Sequence, residues 1–233
     1  MKVKHFEKHP YTNTLLEIQL QRLPQKTKKI IVDVGAFDGV NCVRLARKFP
    51  NSFTYAIEPC PKNFKVLCYN TKRHKNIKPV QVALSDKDGE EVLFTTRDYK
   101  HKSVSSQSNS LYEDFLFDKN NEGKNESVKT MTFDSFCRKE NIQHIHLLKM
   151  NCEGGEYKIF GGELSELFYS TDIICLYLHG KTFLFMSEEY VRKKQAINEF
   201  LVMHNYNPIY GEDLSLLERI PIGHITQVWM KNK

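Results

Sequence analysis

The stretch Ile30–Gly39, with the sequence Ile-Ile-Val-Asp-Val-Gly-Ala-Phe-Asp-Gly, decides the fold of this chain. Its first five residues form a short, largely β-branched apolar run, which is typical of a strand buried on both faces of a parallel sheet. Gly35 ends the run, and Gly39 stands where a helix is expected to begin. Glycine at such positions allows a sharp turn and a close approach of a ligand to the backbone. The stretch predicts a strand–loop–helix unit, either with a ligand at its loop or as an ordinary junction.

The glycine spacing indicates which class of ligand this loop suits. From Asp33 to Gly39 it reads Asp-x-Gly-x-x-x-Gly, whereas the dinucleotide fingerprint is Gly-x-Gly-x-x-Gly. A pyrophosphate needs three close glycines at the start of the helix, so a nicotinamide-dependent dehydrogenase is the least favoured interpretation. A ligand without phosphate, such as S-adenosylmethionine, fits better, because loop amides and an acidic strand residue can hold its amino-acid end.

Length and composition predict one large folded domain. The chain has 233 residues, of which 40% are hydrophobic and 12% aromatic, and this excludes wholesale disorder. It contains no run of about 18 apolar residues, and its charged first residues lack the apolar segment of a secretory signal. The six cysteines are scattered without a Cys-x-x-Cys pair, which is typical of reduced core cysteines. We therefore expect a cytoplasmic protein without a membrane partner, and no compact His/Asp pattern indicates a metal.

The formal charge of +6 is concentrated in the segment Lys62–Lys78, around a predicted helix. A solvated helix face and loop is the favoured interpretation of this segment. A nucleic-acid surface is the less favoured alternative.

The apolar pattern of the first half alternates between helices and strands. Helices are expected over Thr14–Leu23, after Gly39 and from Pro61, and strands over Ser52–Ile57 and Pro79–Leu84. This tempo predicts an α/β, doubly wound, Rossmann-like sheet of mostly parallel strands. We divide the chain into an N-terminal helical extension, residues 1–29, and a domain, residues 30–233, with a long variable loop at about 97–127. That loop is either a lid over a substrate cleft or a surface insertion.

The second half continues the pattern. Further strands are expected at Glu91–Thr96, Ser127–Met131, His144–Met150 and Asp172–Leu178, with a helix over Phe133–Glu140 capped by Thr132. A long helix should begin near Ser187. Tyr206–Tyr210 and Ile225–Met230 should close the sheet as an antiparallel pair.

Polar clusters follow the predicted strands at their carboxyl ends, where open parallel sheets bind ligands. These clusters are Asp33–Gly39, Glu58-Pro59, Ser85-Asp86 and Asn151–Glu156. Glu58 follows Gly35 by roughly twenty residues, the offset at which an acidic residue accepts both ribose hydroxyls. The alternative for Glu58 is an ordinary exposed residue before a turn.

Taken together, the motifs resemble those of the FkbM-type S-adenosylmethionine-dependent methyltransferases over roughly residues 28–162. The matching segments, in the family's order, are Val32–Gly39, Ile57–Pro61 with Phe64, Val82–Gly89, Thr130–Phe136 and Leu148–Glu156. The resemblance implies a class I methyltransferase sheet of seven strands with an antiparallel last strand. It also implies methyl transfer to oxygen on glycans or natural products.

The resemblance further implies roles for individual residues. The methionine end of the cofactor would be lined by Asp33, Gly35, Ala36 and Gly39. Glu58 would take the ribose, and the turn containing Ser85 and Asp86 would lie against the adenine. Ser103–Ser106 matches a serine-containing family segment loosely.

One position departs from the family pattern. The family usually carries aspartate in its Lys-x-Asp-x-Glu-Gly segment, where this chain has Asn151. An amide can orient a hydroxyl but cannot act as a base. If the aspartate is the family's base, His179 or Glu153 must replace it, and His179 is also interpretable as a structural histidine. Lys149 is a further candidate for the catalytic site, or a buried partner of Glu156.

We therefore expect an O-methyltransferase acting on a hydroxyl of a sugar, glycan or related small molecule. Methylation of an RNA hydroxyl is the first alternative, although no RNA-binding module is visible. A degenerate member that binds the cofactor or a partner without catalysis is the second. The sequence does not indicate an oligomeric state.

Overall fold

The computed structural model describes residues 10–24, 27–96, 108–113, 124–162, 164, 166–179, 188–211 and 224–232. The helices are α1 Pro10–Arg22, α2 Val40–Lys48, α3 Pro61–Thr71, α4 Phe133–Lys139, α5 Gly155–Gly161, α6 Glu166–Tyr169 and α7 Glu188–Met203. The strands are β1 Lys29–Val34, β2 Ser52–Ile57, β3 Ile77–Val80, β4 Ala83–Leu84, β5 Gly89–Leu93, β6 Glu126–Met131, β7 Leu147–Met150, β8 Ile173–His179, β9 Tyr206–Gly211 and β10 His224–Lys231.

Seven strands form one sheet in the order β3-β2-β1-β7-β8-β10-β9. The pairs β1–β2, β2–β3, β1–β7 and β7–β8 are parallel, whereas β10 runs antiparallel to both β8 and β9. The predicted α/β sheet, mostly parallel with an antiparallel last strand, is therefore confirmed. Strand order reverses between β1 and β7, so the loops after these two strands lie side by side at the carboxyl edge.

The prediction of one strand over Pro79–Leu84 was wrong. Ile77–Val80 pairs with β2 at the sheet edge, where Pro79 is tolerated because an edge strand has one side without ladder bonds. Ala83–Leu84 instead pairs with β6 in a second sheet of order β4-β6-β5. Only Gln81 interrupts the apolar run, and a single polar residue is also typical of one half-buried strand, so the local pattern does not reveal that the two halves join different sheets.

The predicted strand over His144–Met150 begins later than expected, at Leu147. The Nδ1 atom of His146 accepts the backbone N–H of Ile30 at 3.0 Å. The imidazole thus accepts a backbone N–H that would otherwise donate to a backbone carbonyl of the neighbouring strand. Regular pairing of the two strands therefore starts only after His146.

Two apolar layers enclose the large sheet. One contains Val32, Leu148, Phe136 and Phe168, and the other packs Leu16, Leu20 and Leu23 of the N-terminal region against the sheet. The helix over residues 10–22 therefore contributes to the core. Among the described residues, no helix is long and apolar enough to cross a membrane.

Candidate active site at the ends of β1 and β7

The loops that follow β1 and β7 are joined through their backbones. The N–H of Asn151 donates to the carbonyl of Val34 at 2.9 Å, and the N–H groups of Gly35 and Ala36 both donate to the carbonyl of Ile57, at 3.0 and 2.9 Å. Three neighbouring strand ends are thus fixed relative to one another. The structure brings together three of the four polar clusters that the sequence predicted at this edge: Asp33–Gly39, Glu58 and Asn151–Glu156.

Two glycines in the first loop are required by its geometry. Gly35 and Gly39 have φ of +78° and +77°, which disfavour any residue with a side chain. A Cβ on Gly35 would lie 2.0 Å from the carbonyl oxygen of Asn151, and one on Gly39 would lie 2.4 Å from Cδ1 of Leu67. Ala36, between them, is buried.

Asp33 and Lys149 form a buried ion pair across β1 and β7. They are register partners in the ladder, and Nζ of Lys149 lies 2.7 Å from Oδ1 of Asp33. The thiol of Cys42 donates to the other carboxylate oxygen at 3.1 Å. Burial lowers the pKa of Lys149, but Asp33 outweighs burial and leaves the pKa raised. The partner of Lys149 is thus Asp33 and not Glu156, and the pair fixes the two strands that carry the site.

Glu58 binds the first loop from the end of β2. Its Oε2 accepts the N–H of Phe37 at 2.9 Å, and its Oε1 accepts the N–H of Cys60 at 3.0 Å. Burial raises the pKa of Glu58 to about 7, although these amide hydrogen bonds oppose the shift. Nδ2 of Asn63 also donates to Oε1, at 3.5 Å, so the acceptor capacity left for a hydroxyl is the second lone pair of Oε2.

Asn151 carries an unsatisfied acceptor. Its Oδ1 is buried and has no hydrogen-bond partner. Buried side-chain oxygens are normally paired, and an exception at a ligand-binding edge is expected where a ligand supplies the donor.

His179, at the end of β8, lies between two glutamates of the loop after β7. Its Nδ1 is 3.2 Å from Oε1 of Glu156, and its Nε2 is 3.4 Å from Oε1 of Glu153. Burial lowers the pKa of His179, but the charges of Glu153 and Glu156 outweigh it and raise the pKa to about 10. The imidazole is therefore a cation at neutral pH. Glu156 also accepts the N–H groups of Cys152 and Gly154, at 2.7 and 2.8 Å, and so holds the loop in place.

Ser85 and Asp86 make their contacts away from the first loop. The hydroxyl of Ser85 lies 2.7 Å from Oε1 of Glu91, which also binds Lys158 through its other oxygen at 2.6 Å. Asp86 is exposed, and its backbone closely approaches Gly162. The adenine-side assignment of these two residues stays a prediction.

Ser110 belongs to the site region and was not found from the sequence. It is buried, and its hydroxyl donates to the backbone carbonyl of Glu153 at 2.6 Å. Its backbone also pairs with Phe94. Nothing in the local sequence pattern marks these contacts. Ser103–Ser106, and most of the proposed lid, lie outside the described residues. Strand β6 begins at Glu126, one residue before the expected Ser127.

A cluster of His144, His146 and Asp172 has ligand-type atoms that all lie within 4.8 Å of one another. It precedes β7 and β8 and so lies at the opposite edge of the sheet. Nε2 of His144 is 3.0 Å from Oδ2 of Asp172. Nδ1 of His146 already accepts a backbone N–H, so the proton of the neutral ring is on Nε2, where a metal would have to bind. This geometry favours a hydrogen-bonded network over a metal centre.

Comparisons with known proteins agree with the geometry. The model of the methyltransferase FkbM domain matches residues 33–206, about three-quarters of the chain. No curated protein sequence matches the chain.

Several solved structures are similar to this chain. A putative rRNA methylase from Clostridium thermocellum has a TM-score of 0.52 and 7% identity, covering 99% of each chain. The METTL16 methyltransferase domain has a TM-score of 0.53 and 9% identity, covering 100% of this chain and 71% of that one. A precorrin-6y C5,15-methyltransferase from Geobacter metallireducens has a TM-score of 0.48 and 12% identity, covering 100% and 94%. At these identities the first two structures show the fold alone, and the third, with a TM-score below 0.5, adds nothing to the fold assignment.

Proposed function

Because the chain belongs to the FkbM family of S-adenosylmethionine-dependent methyltransferases, we propose that it methylates a hydroxyl of a sugar or glycan-like molecule. The single observation that carries the proposed site is the contact between the loops after β1 and β7. There a side-chain-free Gly35 lies against Asn151, whose buried Oδ1 has no partner. The six free cysteines support a reducing compartment such as the cytoplasm.

The residues at this edge fit the cofactor that the family uses. Gly35, Ala36 and Gly39 present backbone without bulky side chains, and Oε2 of Glu58 retains acceptor capacity for a ribose hydroxyl. The loop amides do not hold the amino-acid end of the cofactor in the simple way that the glycine pattern predicts. The N–H groups of Gly35, Ala36, Phe37 and Gly39 all donate within the protein. When bound, S-adenosylmethionine supplies a methyl group activated on a sulfonium.

The main task of the protein residues is then to orient the acceptor. Alignment of an acceptor hydroxyl with the methyl group supplies about 7–11 kcal/mol in favourable cases. We assign this positioning to Asn151, whose unpartnered Oδ1 accepts a hydrogen bond from a second hydroxyl of the acceptor, next to the one that is methylated. Such a bond leaves the acceptor oxygen lone pair free for the transfer.

Glu153 is the proposed general base among the four candidate residues. His179 is already protonated at neutral pH, Lys149 is paired with Asp33, and Asn151 is an amide. Glu153 is a carboxylate close to Nε2 of His179, and the imidazolium fixes its orientation. A base in this position contributes about 10²–10⁴-fold to the rate.

Calorimetric titration with S-adenosylhomocysteine tests cofactor binding. We expect one site per chain and a loss of affinity of tenfold or more in Glu58→Ala, because a hydrogen bond to a charged group contributes about 1.5–3 kcal/mol. Glu188→Ala, at a fully solvated helix position, is the matched control and should bind like the unmodified protein. Equal affinity in the Glu58→Ala protein, with an unchanged melting temperature, would remove the ribose assignment.

Transfer of a labelled methyl group to a panel of glycans, small sugars and RNA tests the acceptor class. Glu153→Gln should lower kcat by about 10²–10⁴-fold and leave the affinity for S-adenosylhomocysteine unchanged. Cofactor binding without transfer to any acceptor would instead favour a non-catalytic, cofactor-binding protein.

Methylation of an RNA hydroxyl is the second candidate function. The observation that favours it is the exposed basic surface of α3, a helix that begins at Pro61, three residues after Glu58. Labelled RNA as the preferred product would support this candidate over the glycan.

A further inference from the structure

Much of the positive charge of the chain lies in one segment that contains no acidic residue. Between Glu58 and Asp86 there are six Lys and Arg residues and no Asp or Glu, and this equals the formal net charge of +6 of the whole chain. The six are Lys62, Lys65, Lys72, Arg73, Lys75 and Lys78, and all are exposed. Lys78 is neutralised locally by Glu140. The other five lie on α3 and the turn after it.

The geometry of α3 gathers this charge onto one face. At 100° per residue, Lys62, Lys65 and Tyr69 of α3 fall within an arc of about 60°, and Lys72 and Arg73 follow in the turn at the end of the helix. We call these five residues the α3 basic face. The buried residues Asn63, Leu67 and Thr71 lie on the other side of the helix. From Lys62 to Lys72, the C-cap whose backbone is still helical, the face is about 15 Å long at 1.5 Å per residue.

An exposed aromatic ring stands in the middle of the α3 basic face. The side chain of Tyr69 is 54% exposed. Nζ of Lys72 lies 3.9 Å from its ring centroid, so the surface presents a positive charge and an aromatic ring together. This combination is what unpaired bases and their phosphates require, since phosphates pair with cations and bases stack on rings. Paired bases in a duplex offer no free face, and a membrane surface offers no base.

We propose that the α3 basic face binds a single-stranded nucleic acid. The inference goes beyond the proposed function, because it holds whether or not the methylated hydroxyl is on the bound strand. The helix that carries this face also contacts the proposed cofactor-binding loop, Asp33–Gly39. Leu67 contacts the position of Gly39, and Nδ2 of Asn70 donates to the carbonyl of Asp38 at 2.8 Å. A strand bound along α3 therefore lies on a helix that braces the candidate active site.

Fluorescence anisotropy with labelled 20-nucleotide RNA and DNA strands, without any cofactor, tests the proposal. Four contacts between cations of the protein and phosphates release counterions. For a single strand they predict that the logarithm of the binding constant falls with the logarithm of the salt concentration with a slope of about −2.8. A fourfold variant that combines Lys62→Glu, Lys65→Glu, Lys72→Glu and Arg73→Glu should bind the strand at least tenfold more weakly. The matched control replaces Lys87, Lys124, Lys139 and Arg192 by Glu; these residues are exposed elsewhere, and binding should stay within about threefold.

Tyr69→Ala separates stacking from charge without changing the net charge. It should weaken binding about five- to hundredfold, whereas Tyr69→Phe should bind normally. This pair also keeps the test valid if the fourfold variant does not fold. Binding of single-stranded RNA or DNA that is tighter than binding of a duplex supports the proposal. A lower dissociation constant for RNA than for DNA would identify RNA as the strand that the face binds.

Three results would overturn the proposal. One is equal weakening by the two fourfold variants, which would mean that net charge alone matters. Another is a sulfated oligosaccharide or a duplex that binds as tightly as the single strand, with Tyr69→Ala without effect. The third is no binding of the unmodified protein at 100 mM salt. Because no cofactor is present, these outcomes are independent of whether the methyltransferase assignment holds.

Discussion

Gly35 and Gly39 are the residues whose identity the site geometry restricts most. Both have φ near +78°, but a side chain at each position would meet a different neighbour. At Gly35 the obstacle is the carbonyl of Asn151, part of a fixed backbone. At Gly39 it is the methyl end of Leu67, which can move. The cost of a side chain should therefore be larger at Gly35.

We predict that Gly35→Ala destabilises the protein more than Gly39→Ala and abolishes binding of S-adenosylhomocysteine. A positive φ costs about 1 kcal/mol or more for alanine, and the displaced carbonyl adds to this at Gly35. Thermal unfolding and calorimetric titration measure the two effects. Gly161→Ala is the control, because a Cβ there meets nothing within 4 Å. If Gly35→Ala binds normally, the loop contact does not shape the cofactor site.

The carboxyl of Glu58 should make cofactor binding depend on pH near neutrality. Burial raises the pKa of Glu58 to about 7. Only the ionised carboxylate accepts hydrogen bonds freely on both oxygens, because the protonated form carries a donor on one of them. We predict that the affinity for S-adenosylhomocysteine falls as the pH drops from 8 to 6, as the carboxylate takes up a proton. Glu58→Gln should bind more weakly at pH 8 and show a flatter pH profile. Parallel profiles for the two proteins would contradict the assignment.

At the scale of elements, helix caps and strand bounds could be predicted because they depend on residues that are neighbours in the sequence. The Thr132 cap was predicted from sequence, and its hydroxyl accepts the N–H of Ser135 at 3.1 Å. The bounds of β2 were also correct, because a β-branched and aromatic run is sufficient to define a strand. The partner of Asp33 was not predictable, since Lys149 lies 116 residues away in the chain. Such pairs depend on strand order, which no local pattern contains.

The hydrogen bond from the backbone N–H of Ile30 to Nδ1 of His146, which precedes the β1–β7 ladder, should be sensitive to acid. His146 must be neutral at Nδ1 to accept the N–H of Ile30, and burial, with His144 nearby, lowers the pKa of His146. A histidine with a depressed pKa contributes stability that is present above its unfolded pKa of about 6.5 and is lost as the pH falls below it.

We predict that the free energy of unfolding of the unmodified protein decreases between pH 7 and pH 5, with part of the slope due to His146. In His146→Asn the amide oxygen can replace Nδ1 as acceptor and does not titrate, so that part of the slope should disappear. His146→Ala should cost about 1–3 kcal/mol at pH 7, because the N–H of Ile30 loses its partner. Denaturant titrations at several pH values provide the comparison. An unchanged pH slope in His146→Asn would show that other groups control acid stability.

At the scale of the whole molecule, the fold and the family could be predicted from sequence, and the acceptor side of the site could not. The strand–loop–helix pattern and the ordered motifs are local and therefore readable. The surroundings of His179 are assembled from β8 and the loop after β7, and its two glutamates change it from a candidate base into a cation. Ser110 reaches Glu153 from the variable region, which carries no regular pattern.

The N-terminal region is part of this whole, although the sequence presents it as an extension. Leu20 is fully buried in a cluster with Ile31 and Leu147 of the central strands. We predict that Leu20→Ala lowers the free energy of unfolding by about 2–5 kcal/mol, through a cavity next to β1. Ile18→Ala is the control, since Ile18 is 41% exposed on the same helix, and it should cost less than 1 kcal/mol. Equal costs would mean that the helix is not packed as described.

The central claim is that the cofactor lies at the reversal of strand order between β1 and β7. A crystal structure of the protein with S-adenosylhomocysteine tests it most directly. We predict that the ligand lies beyond the carboxyl ends of these strands, with its ribose hydroxyls on Glu58 and its sulfur facing the Asn151–Glu153 loop. A ligand at another edge of the sheet, or a ribose that does not contact Glu58, would contradict the claim.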